Sequence, residues 1–533
     1  MFRWGMAAAV LLGAALRIAR IDEQLLAGDE LHALRAALEW PLPDILSTWT
    51  YHGADYGIPM AALLSLAMSA GIPISEVTVR SLPLLCGTLS IGVMPWLLRA
   101  RLGDRAAVTF AFLLAVSPLL TIYARIARSY APAVLLAFIA VVSFERWWSQ
   151  RSRPAAAAYC VCASLALWWN LATAPFVATP VAYALLRLAL GDRDLRMRWR
   201  ELLGWSAAAL LCALLPLLPA LESLSVLREV HGGGQLPGLP TWLEVVRMHS
   251  GSGATVVTGV VVLGVARGAA LTWHRDRAWL GYLAALTAGH AIGLAVLGPD
   301  QLDNPIVINR YLLVLLPFGL ALCADGWTAP LPRVEPRLQA VAVAALLAAI
   351  VLTGPFSSRE FGRTSFSTAS TFAYFVRDGN QIAYEDMPAF YHSLAETDEV
   401  QPVIEYPWSN LATHAFDAYQ KHHGQPLYAV APWKVLYDER LALRRMMAPS
   451  IRGYLNSPAR WIIVHRDLQQ EERRIATSDP NHWMRLDERP TIWEPLRVAA
   501  PATIRLLQRA FGPADYNDGV IQVWDLERLR ARL

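Results

Sequence analysis

The stretch Tyr56-Gly57-Ile58-Pro59-Met60-Ala61-Ala62-Leu63-Leu64-Ser65-Leu66-Ala67-Met68-Ser69-Ala70-Gly71-Ile72-Pro73-Ile74-Ser75 decides the architecture of this chain. It carries no charge, and a helix of about 20 apolar residues is long enough to cross a bilayer. Whether it crosses fixes the sidedness of everything that follows. Eleven other apolar runs share the chain: Trp4–Leu16, Ser81–Leu98, Ala106–Ala124, Tyr130–Phe144, Ala155–Ala174, Pro175–Leu190, Leu202–Leu221, Gly253–Trp273, Ala278–Leu297, Ile306–Ala324 and Leu338–Pro355. With the N-terminus inside and 56–75 not crossing, the cytoplasmic loops 99–105, 145–154, 187–201, 267–277 and 325–337 hold 16 arginines. The opposite loops hold seven: Arg35, Arg80, Arg125, Arg128, Arg228, Arg247 and Arg310. Counting 56–75 as a span would put the arginine-rich loops outside, against the bias of basic residues toward the cytoplasm. The stretch is therefore expected to lie at the interface within a long external loop, 22–80. The segment after the eleventh run is then external as well.

Composition agrees with a membrane protein. Of 533 residues 55% are hydrophobic and 17% charged, few charges for a soluble domain. The first run follows Arg3, lacks a small-residue cleavage site and continues through Arg17 and Arg20, so it is expected as an uncleaved span. Residues 1–355 hold 26 Lys/Arg and 21 Asp/Glu; residues 356–533 hold 21 and 22 with no run long enough to span. The expected fold is a polytopic α-helical membrane protein with about 11 transmembrane helices and a C-terminal external α/β domain. In that domain, strands are expected at Gln381–Tyr384, Val403–Tyr406, Leu427–Val430, Trp461–His465 and Val520–Trp524. Helices are expected at Ser367–Arg377, Leu411–His423, Glu439–Met447 and Leu496–Phe511.

Several function classes drop out. Cys86, Cys160, Cys162, Cys212 and Cys323 all lie in apolar runs, which offers no disulfide framework or cysteine zinc site. The net charge of +4 points to no nucleic-acid partner, because topology explains most arginines. His465-Arg466-Asp467 imitates a kinase catalytic loop, but the two lysines, Lys421 and Lys434, come with no glycine-rich phosphate loop. His231-Gly232-Gly233-Gly234 imitates an esterase oxyanion motif without a G-x-S-x-G elbow. His422-His423 lacks a further ligand at metal spacing and reads as a solvated helix end.

The candidate chemistry sits in two external loops. The first reads Gly28-Asp29-Glu30-Leu31-His32, an acidic pair and a histidine about a dozen residues after the first span. Carboxylates at a membrane boundary are costly unless solvated, paired or functional; alone, an acidic helix start would explain them. The second loop reads Tyr123-Ala124-Arg125-Ile126-Ala127-Arg128-Ser129-Tyr130, two cations on the arginine-poor face. Arg128, ahead of Ser129 and Tyr130 where the chain re-enters, is well placed to clamp an anion; Arg125 is balanced between that role and snorkelling. Arg310-Tyr311 at the tenth run offers a third cation.

These motifs resemble the GT-C superfamily of membrane glycosyltransferases, which includes protein O-mannosyltransferases and the lipid A aminoarabinose transferase. The resembling pieces are Gly28-Asp29-Glu30-Leu31-His32, Ser117-Pro118 with Tyr123-Ala124-Arg125 and Arg128-Ser129-Tyr130, and Asn309-Arg310-Tyr311. Val403-Ile404-Glu405-Tyr406-Pro407-Trp408 and Trp461-Ile462-Ile463-Val464-His465-Arg466 resemble external domains of bacterial members. One departure is His52-Gly53-Ala54-Asp55-Tyr56-Gly57-Ile58-Pro59, with one proline where many relatives carry two. The resemblance implies an inverting glycosyltransferase that moves a sugar from a polyprenyl-phosphate donor to a hydroxyl on a glycan, lipid or protein acceptor. Asp29 or Glu30 would be the base, with Asp29 favoured. Arg128, Arg125, Tyr130 and Arg310 would hold the donor phosphate, and His32, His52 and Asp55 are candidate substrate contacts. No cofactor is expected, and a divalent metal is not favoured because the second loop has no Asp or Glu. The arginine-rich, lysine-poor composition suggests a bacterium, and an integral protein of the bacterial inner membrane is expected, with its active site and C-terminal domain on the periplasmic side. The rivals are a transporter or flippase of a lipid-linked substrate, against which the lack of an inverted repeat counts, and a glycan-assembly protein without catalysis.

Overall fold

The computed structural model describes residues 2–19, 21, 30–51, 54–190, 193–224, 236–299, 302–303, 305–332, 334–354, 356, 387–407, 419, 422–425, 451–455, 457–468, 470–471 and 490–531. They form two units, one ending at residue 356 and one beginning at residue 387.

The first unit is helical. α1 is Phe2–Ile18, and α2 (Glu30–Glu39) and α3 (Leu42–Leu46) follow. A small hairpin of β1 (Thr50–Tyr51) and β2 (Ala54–Asp55), absent from the sequence-based expectation, leads into α4, Ile58–Ser69. α4 has 12 residues. At ~1.5 Å per residue it reaches about 18 Å, short of a hydrocarbon core of about 30 Å. α5, Glu76–Val116, opens on Ser75, whose side chain accepts the Thr78 N–H. Gly103, at φ 75°, splits it into two arms, a conformation that favours glycine. The second arm stops before Pro118, as helices do ahead of proline, and the chain resumes as α6, Pro118–Ala124.

α7 (Tyr130–Gln150), the most buried of the long apolar helices, is followed by α8 (Arg153–Trp169), α9 (Ala174–Ala189), α10 (Arg193–Leu217) and α11 (Leu239–Ser250). Then come α12 (Thr255–Arg275), α13 (Arg277–Leu297), α14 (Pro305–Leu312), α15 (Leu316–Thr328) and α16 (Pro336–Thr353). Pro317 explains the break between α14 and α15, because its ring clashes with the carbonyl four residues back. Among the described residues, seven helices are long and apolar enough to cross a membrane: α5, α7, α9, α10, α12, α13 and α16. α1, α8 and the α14–α15 pair occupy the remaining apolar runs. α12 packs closely on α15, where Gly264, Gly268 and Gly326 meet. A Cβ on Gly268 would lie 1.9 Å from the Leu322 carbonyl oxygen, the small-residue contact expected between helices in lipid.

The second unit contains α17 (Ala389–Ala395), β3 (Val403–Tyr406), α18 (Ile451–Leu455), β4 (Trp461–His465), α19 (Pro490–Phe511), β5 (Tyr516–Asn517), β6 (Ile521–Asp525) and α20 (Leu526–Arg530). The sheet order is β3-β4-β6-β5, with β3 and β4 parallel and the other pairs antiparallel. Ile404, Ile462, Val464, Leu507, Trp524 and Leu529 form its core. β3 and β4 stand where the sequence placed them. β6 begins one residue later than expected, because the Asp518 carboxylate takes the Val520 and Ile521 N–H groups into a turn. The expected elements at 367–377, 381–384, 427–430 and 439–447 lie outside the described residues, as does most of 411–423.

Candidate functional site

At the end of the first unit where α1 finishes, three motifs far apart in sequence meet. Glu30 opens α2 and is buried at 3% exposure. Arg80, in the first turns of α5 and fully buried, grips it with both arms of the guanidinium: Nε to Oε1 and Nη2 to Oε2, each 2.8 Å. This planar fork-to-carboxylate geometry is the strong form of the pair. Glu30 Oε1 also accepts the Ala127 N–H at 2.7 Å. The acidic loop is therefore bonded directly to the loop that carries Arg125 and Arg128.

Arg125, expected on a donor phosphate, turns toward the protein. Its Nη1 donates to the carbonyls of Leu16, Arg17 and Ala19 at 3.3, 2.9 and 2.7 Å. These are carbonyls that a helix leaves unsatisfied at its C-terminus, a favoured place for an arginine. Arg17 in turn donates to the Leu114 and Ala115 carbonyls of α5, which ties the same helix end down a second time.

Arg128 and Tyr130 are half-buried, and the Tyr130 ring meets Tyr123 edge-on at 4.9 Å. A narrow cavity places Tyr130 beside Arg310 and Tyr311, with Asn170 and Thr173 on its wall. Asn170 caps the turn between α8 and α9 by accepting the Ala172 N–H. His290 of α13, fully buried, bonds the Tyr311 carbonyl at 2.8 Å and fixes the backbone beside Arg310. Thus Glu30, Arg128, Tyr130 and Arg310 belong to one end of the bundle. His32 lies half-buried on α2. Asp55 is in β2, paired with Thr50 through the backbone. Asp29 and His52 lie outside the described residues. Among the described residues no three His, Cys, Asp or Glu side chains converge as metal ligands.

The sequence reading missed Arg80, Asn170, Thr173 and His290. Arg80 carried a signal, an arginine on the arginine-poor face at the mouth of a span. The others carried none, since a polar residue between apolar runs is ordinary. A larger cavity, about 250 Å³, lies at the other end of the bundle beside Arg101, Arg275 and Trp279. Its cations are committed, Arg101 to Glu145 and Asp276 and Arg275 to Asp325.

The second unit holds its own buried polar cluster. His465, read above as a decoy, is fully buried at the end of β4, with Nε2 2.5 Å from Glu405 and Nδ1 2.7 Å from Glu471. Tyr391 O–H donates to Glu405 and Tyr419 O–H to Glu471. Burial pulls the His465 pKa down, but Glu471 and Glu405 outweigh it and hold it up at about 10. Both ring nitrogens then donate, as an imidazolium must. His423 corrects the expectation of a solvated helix end: it is 5% exposed and stacks on Tyr391. Burial, then His422, brings its pKa down to about 4, so it is neutral. His422 bonds His392 at 2.9 Å.

No protein-family model matches the chain, and no curated protein is significantly similar to it in sequence. Solved structures are similar in fold. ArnT from Cupriavidus metallidurans in the apo state superposes with a TM-score of 0.58 at 12% identity, over 97% of each chain. The structure of the same protein bound to undecaprenyl phosphate gives 0.57 at 13% identity, again over 97% of each. The chain is thus a polytopic membrane protein with the ArnT fold over nearly its whole length.

Proposed function

We propose that this protein is an inverting glycosyltransferase that moves a sugar from a polyprenyl-phosphate donor to an acceptor hydroxyl on the external face of a bacterial inner membrane. The observation that carries the reading is the convergence of the acidic loop, through Glu30, with the Arg125–Tyr130 loop at one end of the bundle. That convergence occurs on a fold shared with ArnT, one structure of which is bound to undecaprenyl phosphate. Arg128 and Arg310 would hold the donor phosphate, with Tyr130 beside them, while Arg125 closes α1 beneath. The acceptor oxygen attacks the anomeric carbon as the bond to phosphate breaks, and the polyprenyl phosphate leaves with the bonding pair. Asp29 takes the acceptor proton late, as suits a weak base. Positioning and arginine stabilisation of the departing phosphate supply most of the acceleration. His32, His52 and Asp55 would contact sugar or acceptor. The acceptor is a glycan, lipid or protein hydroxyl, and no cofactor is invoked.

The test incubates the purified full chain with a polyprenyl-phosphate sugar and a hydroxyl acceptor. A product with inverted anomeric configuration is expected. Translocation of the lipid without transfer would replace this reading with a flippase, and the absence of both would point to a protein without catalysis.

A further inference from the structure

The Arg80–Glu30 pair is an expensive feature. Both groups are buried, and taking two charges out of water is repaid only by good geometry and further hydrogen bonds. Both conditions hold here: two bonds of 2.8 Å join the pair, Arg80 Nη1 adds the Ile21 carbonyl at 3.3 Å, and Glu30 adds the Ala127 N–H. Glu30 Oε1 thus serves Arg80 and a backbone amide at once, and that amide belongs to the residue immediately before Arg128.

We infer that Arg80 and Glu30 are positioning residues that act as a strut, with Arg80 fixing the Glu30 carboxylate and the carboxylate fixing the 125–129 loop so that Arg128 faces its anion. This rests on the donor-phosphate role proposed for Arg128. It assigns Arg80 a role in the site and separates the two acids: Glu30 works through Ala127 and Arg128, leaving proton transfer to Asp29. The strut joins α5 and α2 to the turn between α6 and α7, so a change at Arg80 is read out at Arg128 without touching it. An arginine is specified because lysine, a point charge, cannot hold both carboxylate oxygens in one plane.

Two measurements on the full chain in detergent test it. In the first, amide hydrogen exchange is followed over 125–129 in wild type, Arg80→Lys, Arg80→Met and Glu30→Met. Exchange there should speed up by about tenfold or more in both Met variants and less in Arg80→Lys, while the middle of α7 stays protected; a tenfold opening is ~1.4 kcal/mol. Arg80→Lys keeps a buried cation against Glu30 and so keeps the test alive where Arg80→Met fails to fold. In the second, binding of undecaprenyl phosphate is compared in Arg80→Lys, Arg128→Ala and the double variant. The strut predicts that Arg80→Lys weakens binding and that the double variant is no weaker than Arg128→Ala alone, since residues acting in one unit are not additive. Unchanged exchange over 125–129, or losses that simply add, would overturn it. Wild-type protein that does not bind undecaprenyl phosphate would refute the donor reading, and the exchange measurement would still decide the strut.

Discussion

Asp29 and Glu30 are adjacent in sequence, and the proposed function gives the base role to Asp29. Glu30 faces the protein: its two oxygens are on Arg80 and the Ala127 N–H. Asp29→Asn should therefore cost on the order of 10²-fold in turnover, the usual scale for a lost general base. Glu30→Gln should cost less, through loop geometry. Turnover of the two variants, with thermal stability alongside, separates them; an active Asp29→Asn beside a dead Glu30→Gln would reverse the roles. Arg128→Ala should remove most activity and Arg128→Lys restore part of it, because an ammonium lacks the planar fork that matches phosphate. Unchanged donor affinity and turnover in Arg128→Ala would count decisively against the clamp.

Strands β3 and β4 carry a pair of charges whose pH dependence can be worked out. His465 has a folded pKa of about 10 against 6.5 in the open chain, so its contribution to stability is complete below about pH 6.5 and disappears as pH rises through 10. Burial also raises the Glu405 pKa, against the pull of His465, and that shift acts in the same direction: the folded state holds its protons more tightly. The facing groups are Glu405, Glu471, Tyr391 and Tyr419. The unfolding of the second unit in the full chain should therefore begin at lower temperature near pH 10 than near pH 6, read by calorimetry. His465→Gln should flatten that dependence and cost about 3–5 kcal/mol by leaving buried carboxylates uncompensated; a wild-type midpoint that rises with pH would refute the assignment. β3 and β4 were legible in sequence because a run such as Trp461-Ile462-Ile463-Val464 admits few alternatives to a buried strand. For α4, charge parity led to the expectation of a non-crossing segment, and the helix found there has 12 residues. The hairpin of β1 and β2 was not, since two-residue strands carry no periodicity, and α17 was not because seven residues are too few to show a helical period. Arg80 lies fifty residues from Glu30 and Glu405 sixty from His465, pairings that composition and spacing do not encode.

At the scale of the whole molecule, every functional statement depends on which side of the membrane the Glu30 end of the bundle faces. Two observations bear on it. Sixteen arginines fall in the loops of one parity class and seven in the other, and basic residues stay on the cytoplasmic side. α4, the segment whose crossing would invert that count, has 12 residues and spans about 18 Å, too little for a bilayer core of about 30 Å. α16, the last of the described helices long and apolar enough to cross, has 18 residues and reaches about 27 Å, enough to cross with flanking residues at the interface. If the N-terminus is inside and 56–75 does not cross, α16 would deliver the chain to the external side. A periplasm-dependent phosphatase fused after Arg363 should be active, and a fluorescent protein that matures only in the cytoplasm should stay dark there. The same reporters placed after Asp276, in the short connection between α12 and α13, should give the opposite pair of signals. The internal control matters because a truncated membrane protein can insert incorrectly, and two sites of opposite sign expose that. A cytoplasmic signal after Arg363 together with an external one after Asp276 would mean that 56–75 crosses after all. The Glu30–Arg80–Arg128 end of the bundle would then need reassignment, and with it the external polyprenyl-phosphate donor.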